Sequence, residues 1–297
     1  MPAGNKLAVA AVIVGAASLF ALQLMRPAPA IPGRFNDIGG DPVPGEAVFW
    51  AAGCASCHKA PDAKGDDALV LSGGQRLVTE FGTFVVPNIS SHPTAGIGNW
   101  TLDTFARAMT QGVSPEGNHY YPAFPYTAYA LMTDTDVANL FAYMTTLPAS
   151  DAVHPDHDLS LPYNIRAGLG LWKRLNGDPG FVGPTGTDTL ERGRYLVEAL
   201  AHCAECHTPR DSFGRLEKSA WMAGAPNPSG QGRIPNITPG TLRWSAGDIA
   251  YYLETGFTPD FDSAGGHMAS VITNMQQLTA EDREAIAAYM LLLPSIP

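Results

Sequence analysis

The sequence predicts an all-α fold, two copies of one small helical domain in tandem behind an apolar N-terminal helix. Three observations carry this. The pentapeptide Cys54-Ala55-Ser56-Cys57-His58 returns as Cys203-Ala204-Glu205-Cys206-His207, and the two copies use all the cysteines in the chain. The segments around each copy recur in the same order, as expected of a duplicated unit. Leu7 to Met25 carries no charged residue.

Along the chain, that N-terminal stretch comes first. As a helix rising ~1.5 Å per residue it reaches about 28 Å, enough to cross a bilayer. A cleaved signal peptide ending at Ala28-Pro29-Ala30 is the competing reading, but its apolar core would usually be only about 7–15 residues. The expectation is a retained anchor over residues 1–30, and either reading exports the rest of the chain. Lys6 and Arg26 flank both ends, so charge decides little about orientation. Arg26 to Gly45 is rich in proline and glycine and reads as a tether.

The first domain is assigned to residues 31–149. Gly45 to Trp50 leads into the first pentapeptide, and Leu102, Phe105, Ala106 and Met109 give Thr101–Gly112 a helical apolar stripe. Thr133-Asp134-Thr135-Asp136 is a hydroxyl cap with an acidic first turn, opening a helix that buries Val137, Leu140, Phe141 and Met144. Residues 150–188 form a linker with one helical segment, Asn164–Leu175. The second domain, 189–297, repeats the order: Glu191 to Glu198, the second pentapeptide, Trp244 opening a helix that ends at Gly256, then Thr279-Ala280-Glu281-Asp282. Val86-Pro87-Asn88-Ile89-Ser90 is matched by Ile234-Pro235-Asn236-Ile237-Thr238. No strand-rich stretch competes with the helical reading.

C-x-x-C-H is the pattern of covalent c-type haem attachment: two thiols on one helical turn add to the vinyl groups of one porphyrin, and the histidine becomes an axial iron ligand. A zinc ribbon would return its second cysteine pair within about 12–20 residues, whereas here the pairs lie in different halves of the chain. Neither a βαβ redox context nor a short cysteine-dense chain is present. The expected cofactors are two covalently bound haem c groups with their iron, on Cys54, Cys57 and His58 and on Cys203, Cys206 and His207.

Lys+Arg 18 against Asp+Glu 28 gives a formal charge of −10, with charged residues only 15% of the chain. That balance excludes the basic footprint of a nucleic-acid binder. It suits a carrier steered to a basic partner surface.

The exported part resembles the multi-haem cytochrome c subunits of membrane-bound bacterial dehydrogenases. The motifs that carry the resemblance are Pro87-Asn88-Ile89-Ser90 with Gly96-Ile97-Gly98-Asn99-Trp100, Tyr121-Pro122-Ala123-Phe124-Pro125-Tyr126, Arg192 to Glu198, Cys206-His207-Thr208-Pro209-Arg210 and Gly266-His267-Met268-Ala269. The resemblance implies a tandem pair of class I cytochrome c-like haem domains with His/Met ligation. Related chains include three-haem forms; this one has two attachment motifs.

The duplication sorts the methionines. Met144 matches Met290, and Met109 matches Leu253, so these read as core. The resemblance places the second sixth ligand at Met268, with Met275 as the alternate. In the first domain Phe124 stands where related chains often have methionine, and Met132 is the replacement, with His119 and an open iron as alternatives. A hydrophobic staple before the Thr133 cap is the other role for Met132. Trp100 and Trp244 are expected against the haems, and Arg210 and Arg233 near propionates.

The resemblance implies a di-haem electron carrier with no catalytic activity of its own, in the bacterial cytoplasmic membrane with its haem domains facing the periplasm. It would take electrons from a membrane-bound or periplasmic dehydrogenase. It would pass them to a quinone, a soluble cytochrome c or a terminal oxidase. The alternative is a peroxidase-like haem enzyme with one open iron in the first domain.

Overall fold

The computed structural model describes residues 12, 13, 15, 16, 19, 20, 23–31, 33–177, 179–184, 186–230 and 232–297. About half of the predicted membrane-spanning stretch Leu7–Met25 lies outside them. Among the described residues no helix is long and apolar enough to cross a membrane.

Each domain is built on a crossing between its first and last helices. In the first domain α1 (Pro42–Ala51) packs on α5 (Asp134–Met144), and in the second α7 (Asp188–Arg194) packs on α12 (Ala280–Leu292). Glycine makes both crossings close. A Cβ on Gly45 would lie 2.1 Å from the Asn139 carbonyl oxygen, and one on Gly193 would lie 2.0 Å from that of Ala285. The Asp41 amide ties the first crossing by donating to Asn139 Oδ1 at 2.8 Å. Beyond α7 the chain continues as a π-helical turn, Tyr195–Leu200, whose Leu196, Val197, Ala199 and Leu200 are fully buried. Full burial of an aliphatic side chain of this kind contributes about 1.5–3 kcal/mol.

The caps read in the sequence form. Thr133 accepts from the Asp136 amide and Thr279 from the Asp282 amide, so each last helix starts at a satisfied N-terminus. The corresponding helices α3 (Leu102–Gln111) and α10 (Ala246–Thr255), the latter preceded by the single turn α9 (Pro239–Leu242), end on a left-handed glycine, Gly112 (φ 59°) or Gly256 (φ 78°).

Strands were not expected and are present. In the first domain β1 (Arg76–Thr79) and β2 (Gly82–Val85) form a hairpin, and β3 (Asp158–Leu159) from the linker adds to β2, giving an antiparallel sheet in that order. The β-branched and aromatic residues Val78, Thr79, Thr83, Phe84 and Val85 favour it. Gly82 (φ 123°) turns the hairpin where a Cβ would meet the Asp158 carbonyl oxygen at 2.3 Å. The second domain keeps only a two-residue pairing, β4 (Ala225–Pro226) with β5 (Arg233–Ile234). The linker helix α6 is Gly168–Asn176, starting later than the expected Asn164.

Candidate haem-attachment sites

Both pentapeptides form one helical turn, α2 (Cys54–His58) and α8 (Ala204–His207). The residue before each motif has positive φ, Gly53 at 67° and His202 at 42°, which turns the chain from the preceding helix into the attachment turn. All four cysteines are free thiols, as attachment requires. Burial pushes the Cys54 and Cys203 thiols up to about 12, and raises those of Cys57 and Cys206.

The histidines are oriented identically. His58 Nδ1 pairs with the Pro87 carbonyl oxygen at 2.9 Å, and His207 Nδ1 with that of Pro235 at 2.8 Å. Each bond fixes the ring and leaves Nε2 free for iron, with the backbone carbonyl raising its basicity. Burial lowers both histidines, His58 to about 4, which favours the neutral form that ligates.

The repeated Pro-Asn-Ile motif is what holds those carbonyls. Asn88 accepts from the Ser90 amide and donates to the Ser150 and Ala152 carbonyls. Asn236 accepts from the Thr238 amide and donates to the Ile296 carbonyl. The opposite wall is pinned by the Gly73 amide on the His58 carbonyl and the Gly224 amide on the His207 carbonyl, each at 2.7 Å. Leu71 (φ 53°) and Met222 (φ 62°) are fully buried two residues before these glycines. The indole N–H of Trp221 is buried without a hydrogen-bond partner among the described residues, a donor suited to a haem propionate. The free thiols, free Nε2 atoms and orphan indole fit haem c.

The candidate sixth ligands fall differently. Met132 is buried in the turn between α4 (Tyr126–Tyr129) and Thr133. Met268 sits in the first turn of helix α11 (His267–Met275), half-buried against the core; Met275 at the other end is buried. His119 Nε2 pairs with the Met25 carbonyl at 2.9 Å, in a cluster around the N-terminal segment. Phe124 packs among Tyr120, Tyr126 and Tyr129. Trp100 and Trp244 pack half-buried against the core. Arg210 pairs with Glu205 at 2.5 Å, so its guanidinium is already engaged.

The domain contact was not foreseen. Asn274 in α11 donates to the Ser56 hydroxyl at 2.5 Å, and that hydroxyl donates to the Ser270 carbonyl at 3.2 Å. In the opposite direction Thr127 in α4 donates to Glu205 at 2.9 Å. Ser56 and Glu205 occupy the same place in the two pentapeptides. Each domain thus lays the helix before its last one on the other domain's attachment turn. Tyr129 completes the contact: its hydroxyl donates to the Ala52 carbonyl at 2.8 Å, and its ring meets the His202 ring edge-on.

A cytochrome c family model matches residues 42–148 and 190–294, one match per domain. The chain belongs to the cytochrome c family. It is similar to a diheme cytochrome c-type protein of Cereibacter sphaeroides, 56% identical over 96% of this chain and 95% of the relative. The fructose dehydrogenase cytochrome subunit of Gluconobacter japonicus is 40% identical over 84% of this chain and 52% of its own length. The cytochrome c subunit of a quinone-dependent alcohol dehydrogenase from Gluconobacter oxydans is 32% identical over 85% and 55%. This chain therefore spans nearly all of the first and about half of the two dehydrogenase subunits. It is a di-haem cytochrome c, carrying two covalently attached haem c groups with their iron.

Proposed function

We propose that this cytochrome c relays electrons from a partner dehydrogenase to the respiratory chain, anchored in the cytoplasmic membrane by Leu7–Met25 with its haem domains in the periplasm. The observation that carries the relay is the reciprocal packing of the two attachment turns, tied by the Asn274–Ser56 and Thr127–Glu205 hydrogen bonds. The dehydrogenase donor rests on the resemblance to dehydrogenase cytochrome subunits, and a quinone, soluble cytochrome c or terminal oxidase would be the acceptor.

Each haem iron, when bound, supplies reversible one-electron chemistry between ferric and ferrous. The chain's own residues set the conditions. His58 and His207 are kept neutral by burial and oriented as ligands by the Pro87 and Pro235 carbonyls. Met132 and Met268 are proposed as the sixth ligands, and thioether ligation raises the potential relative to a second histidine. The Asn274–Ser56 and Thr127–Glu205 bonds fix the two haem-bearing turns relative to one another.

The test is a reductive titration of the detergent-extracted holoprotein with carbon monoxide added. Two low-spin haems that resist rapid carbon monoxide binding support the relay. Fast stoichiometric binding at either iron would instead support an open coordination site and a haem enzyme. Co-purification with a dehydrogenase, and haem reduction by that enzyme's substrate, tests the donor.

A further inference from the structure

We propose that the linker helix α6 docks on the outer surface of the bilayer, its Leu171/Leu175 stripe in the interface and the neighbouring arginines on anionic phospholipid headgroups. This rests on the membrane-anchor reading of Leu7–Met25.

Three sides of α6 are occupied. On one, Gly170 meets the N-terminal segment so closely that a Cβ would lie 2.1 Å from the Met25 carbonyl oxygen, and Arg174 Nε donates to the Leu24 carbonyl at 2.7 Å. On the next, Lys173 donates to the Gln111 and Gly112 carbonyls, both at 2.7 Å, and covers the Tyr126 ring. On the third, Trp172 Nε1 donates to the Phe213 carbonyl at 2.7 Å in the second domain. What remains is Leu171 and Leu175, four residues apart on one stripe, 40% and 63% exposed. Phe213, 68% exposed, lies beside the helix end, under the guanidinium of Arg215, which itself donates to the Leu175 carbonyl.

The occupant follows from position and charge. Arg174 and His119 hold the last two carbonyls of the apolar stretch, those of Leu24 and Met25, and Arg107 grips the Ala28 carbonyl just beyond it. A segment that leaves the hydrocarbon at Met25 therefore brings α6 to the headgroup level, because Gly170 touches that residue. In a chain of net charge −10, cations lie around the stripe: Arg174 precedes Leu175, Arg215 reaches the Leu175 carbonyl while also pairing with Asp211, and exposed Arg26 follows the Met25 that Gly170 touches. An apolar stripe bordered by arginines matches the arrangement of helices that lie in the plane of an anionic membrane surface.

The experiment places the photo-crosslinker p-benzoylphenylalanine at Leu175, and separately at Phe20, in the full-length holoprotein. Both are reconstituted in nanodiscs of phosphatidylcholine and phosphatidylglycerol, and phospholipid adducts are read by mass spectrometry after irradiation. Adducts at both positions are expected, with phosphatidylglycerol enriched at Leu175. Adding Leu171→Asp should reduce the Leu175 adduct several-fold while leaving the Phe20 adduct and the haem spectrum unchanged. An adduct at Phe20 alone overturns the docking and leaves the anchor standing. No adduct at either position overturns the anchor reading and the docking with it.

Discussion

The Asn274 side-chain amide donates to the hydroxyl of Ser56 at 2.5 Å, joining the second domain's penultimate helix to the residue between the first domain's haem-attachment cysteines. Asn274 is 2% exposed, and its amide also donates to the Ser270 carbonyl. Asn274→Ala removes a buried hydrogen-bonded group, and the expected loss is about 1–2 kcal/mol of holoprotein stability. Because the bond holds an attachment turn, the variant should also slow electron exchange between the haems. Chemical denaturation and pulse-radiolysis relaxation measure the two effects separately.

Ligation separates the two domains. With Met132 and Met268 as the sixth ligands, either Met132→Ala or Met268→Ala should remove about half of the methionine-to-iron charge-transfer absorption and lower one haem potential. The double variant should remove all of it. Met275→Ala should leave the absorption intact. A Met132→Ala protein with an unchanged spectrum would make that residue the staple before Thr133 and no ligand.

The glycine crossings predict a loss that needs no cofactor argument. Gly45→Ala drives a methyl group into the Asn139 carbonyl and Gly193→Ala into that of Ala285, at 2.1 and 2.0 Å from the backbone oxygens, so the two helices must move apart. Overpacking of this kind costs about 1–3 kcal/mol. Each variant should therefore melt earlier by differential scanning calorimetry, with the attached haems still present.

How far the sequence discloses this architecture depends on the range of each interaction. The attachment turns, the capping threonines Thr133 and Thr279 and the C-terminal glycines Gly112 and Gly256 are local, and each is legible from a few adjacent residues. The Pro87 and Pro235 motifs are visible as a repeat, but their role lies in carbonyls that accept from histidines 29 and 28 residues away. The domain contact is legible in neither copy alone. Ser56 and Glu205 share a motif position yet differ in chemistry, and Ser56 meets its partner 218 residues on. The β1–β2 hairpin escaped because its strands are four residues each, too short to establish a period against the surrounding loops.

Glu198 anchors the end of the linker to the second domain. This buried carboxylate accepts from the Val182 amide at 2.7 Å, the Gly183 amide at 2.8 Å and the Tyr289 hydroxyl. Glu198→Ala strands three donors at once, and an unsatisfied buried group costs about 1–3 kcal/mol. The predicted result is a destabilised second domain and new proteolytic cleavage near Phe181. Limited proteolysis of the holoprotein reports on both.

His202 gives the molecule a pH dependence whose sign can be worked out. Its ring lies against Tyr129 at the domain contact, and burial lowers its pKa from 6.5, with the Glu205 carboxylate opposing that shift. Above about pH 6.5 the ring is neutral in both the folded and unfolded chain, and the contact carries no penalty. Below that value the unfolded chain takes up the proton while the folded one resists it. The unfolded state then binds more protons, so stability falls as the pH falls. The slope from this one group is at most about 1.4 kcal/mol per pH unit. With His58 and His207 as the proposed iron ligands, neither adds to it in the holoprotein, since the ligating nitrogen is not open to protonation. Melting temperatures of the wild type and His202→Gln between about pH 7.5 and 5.5 should therefore diverge, with the variant losing less on acidification. Parallel curves would mean that His202 titrates alike in the folded and unfolded chain.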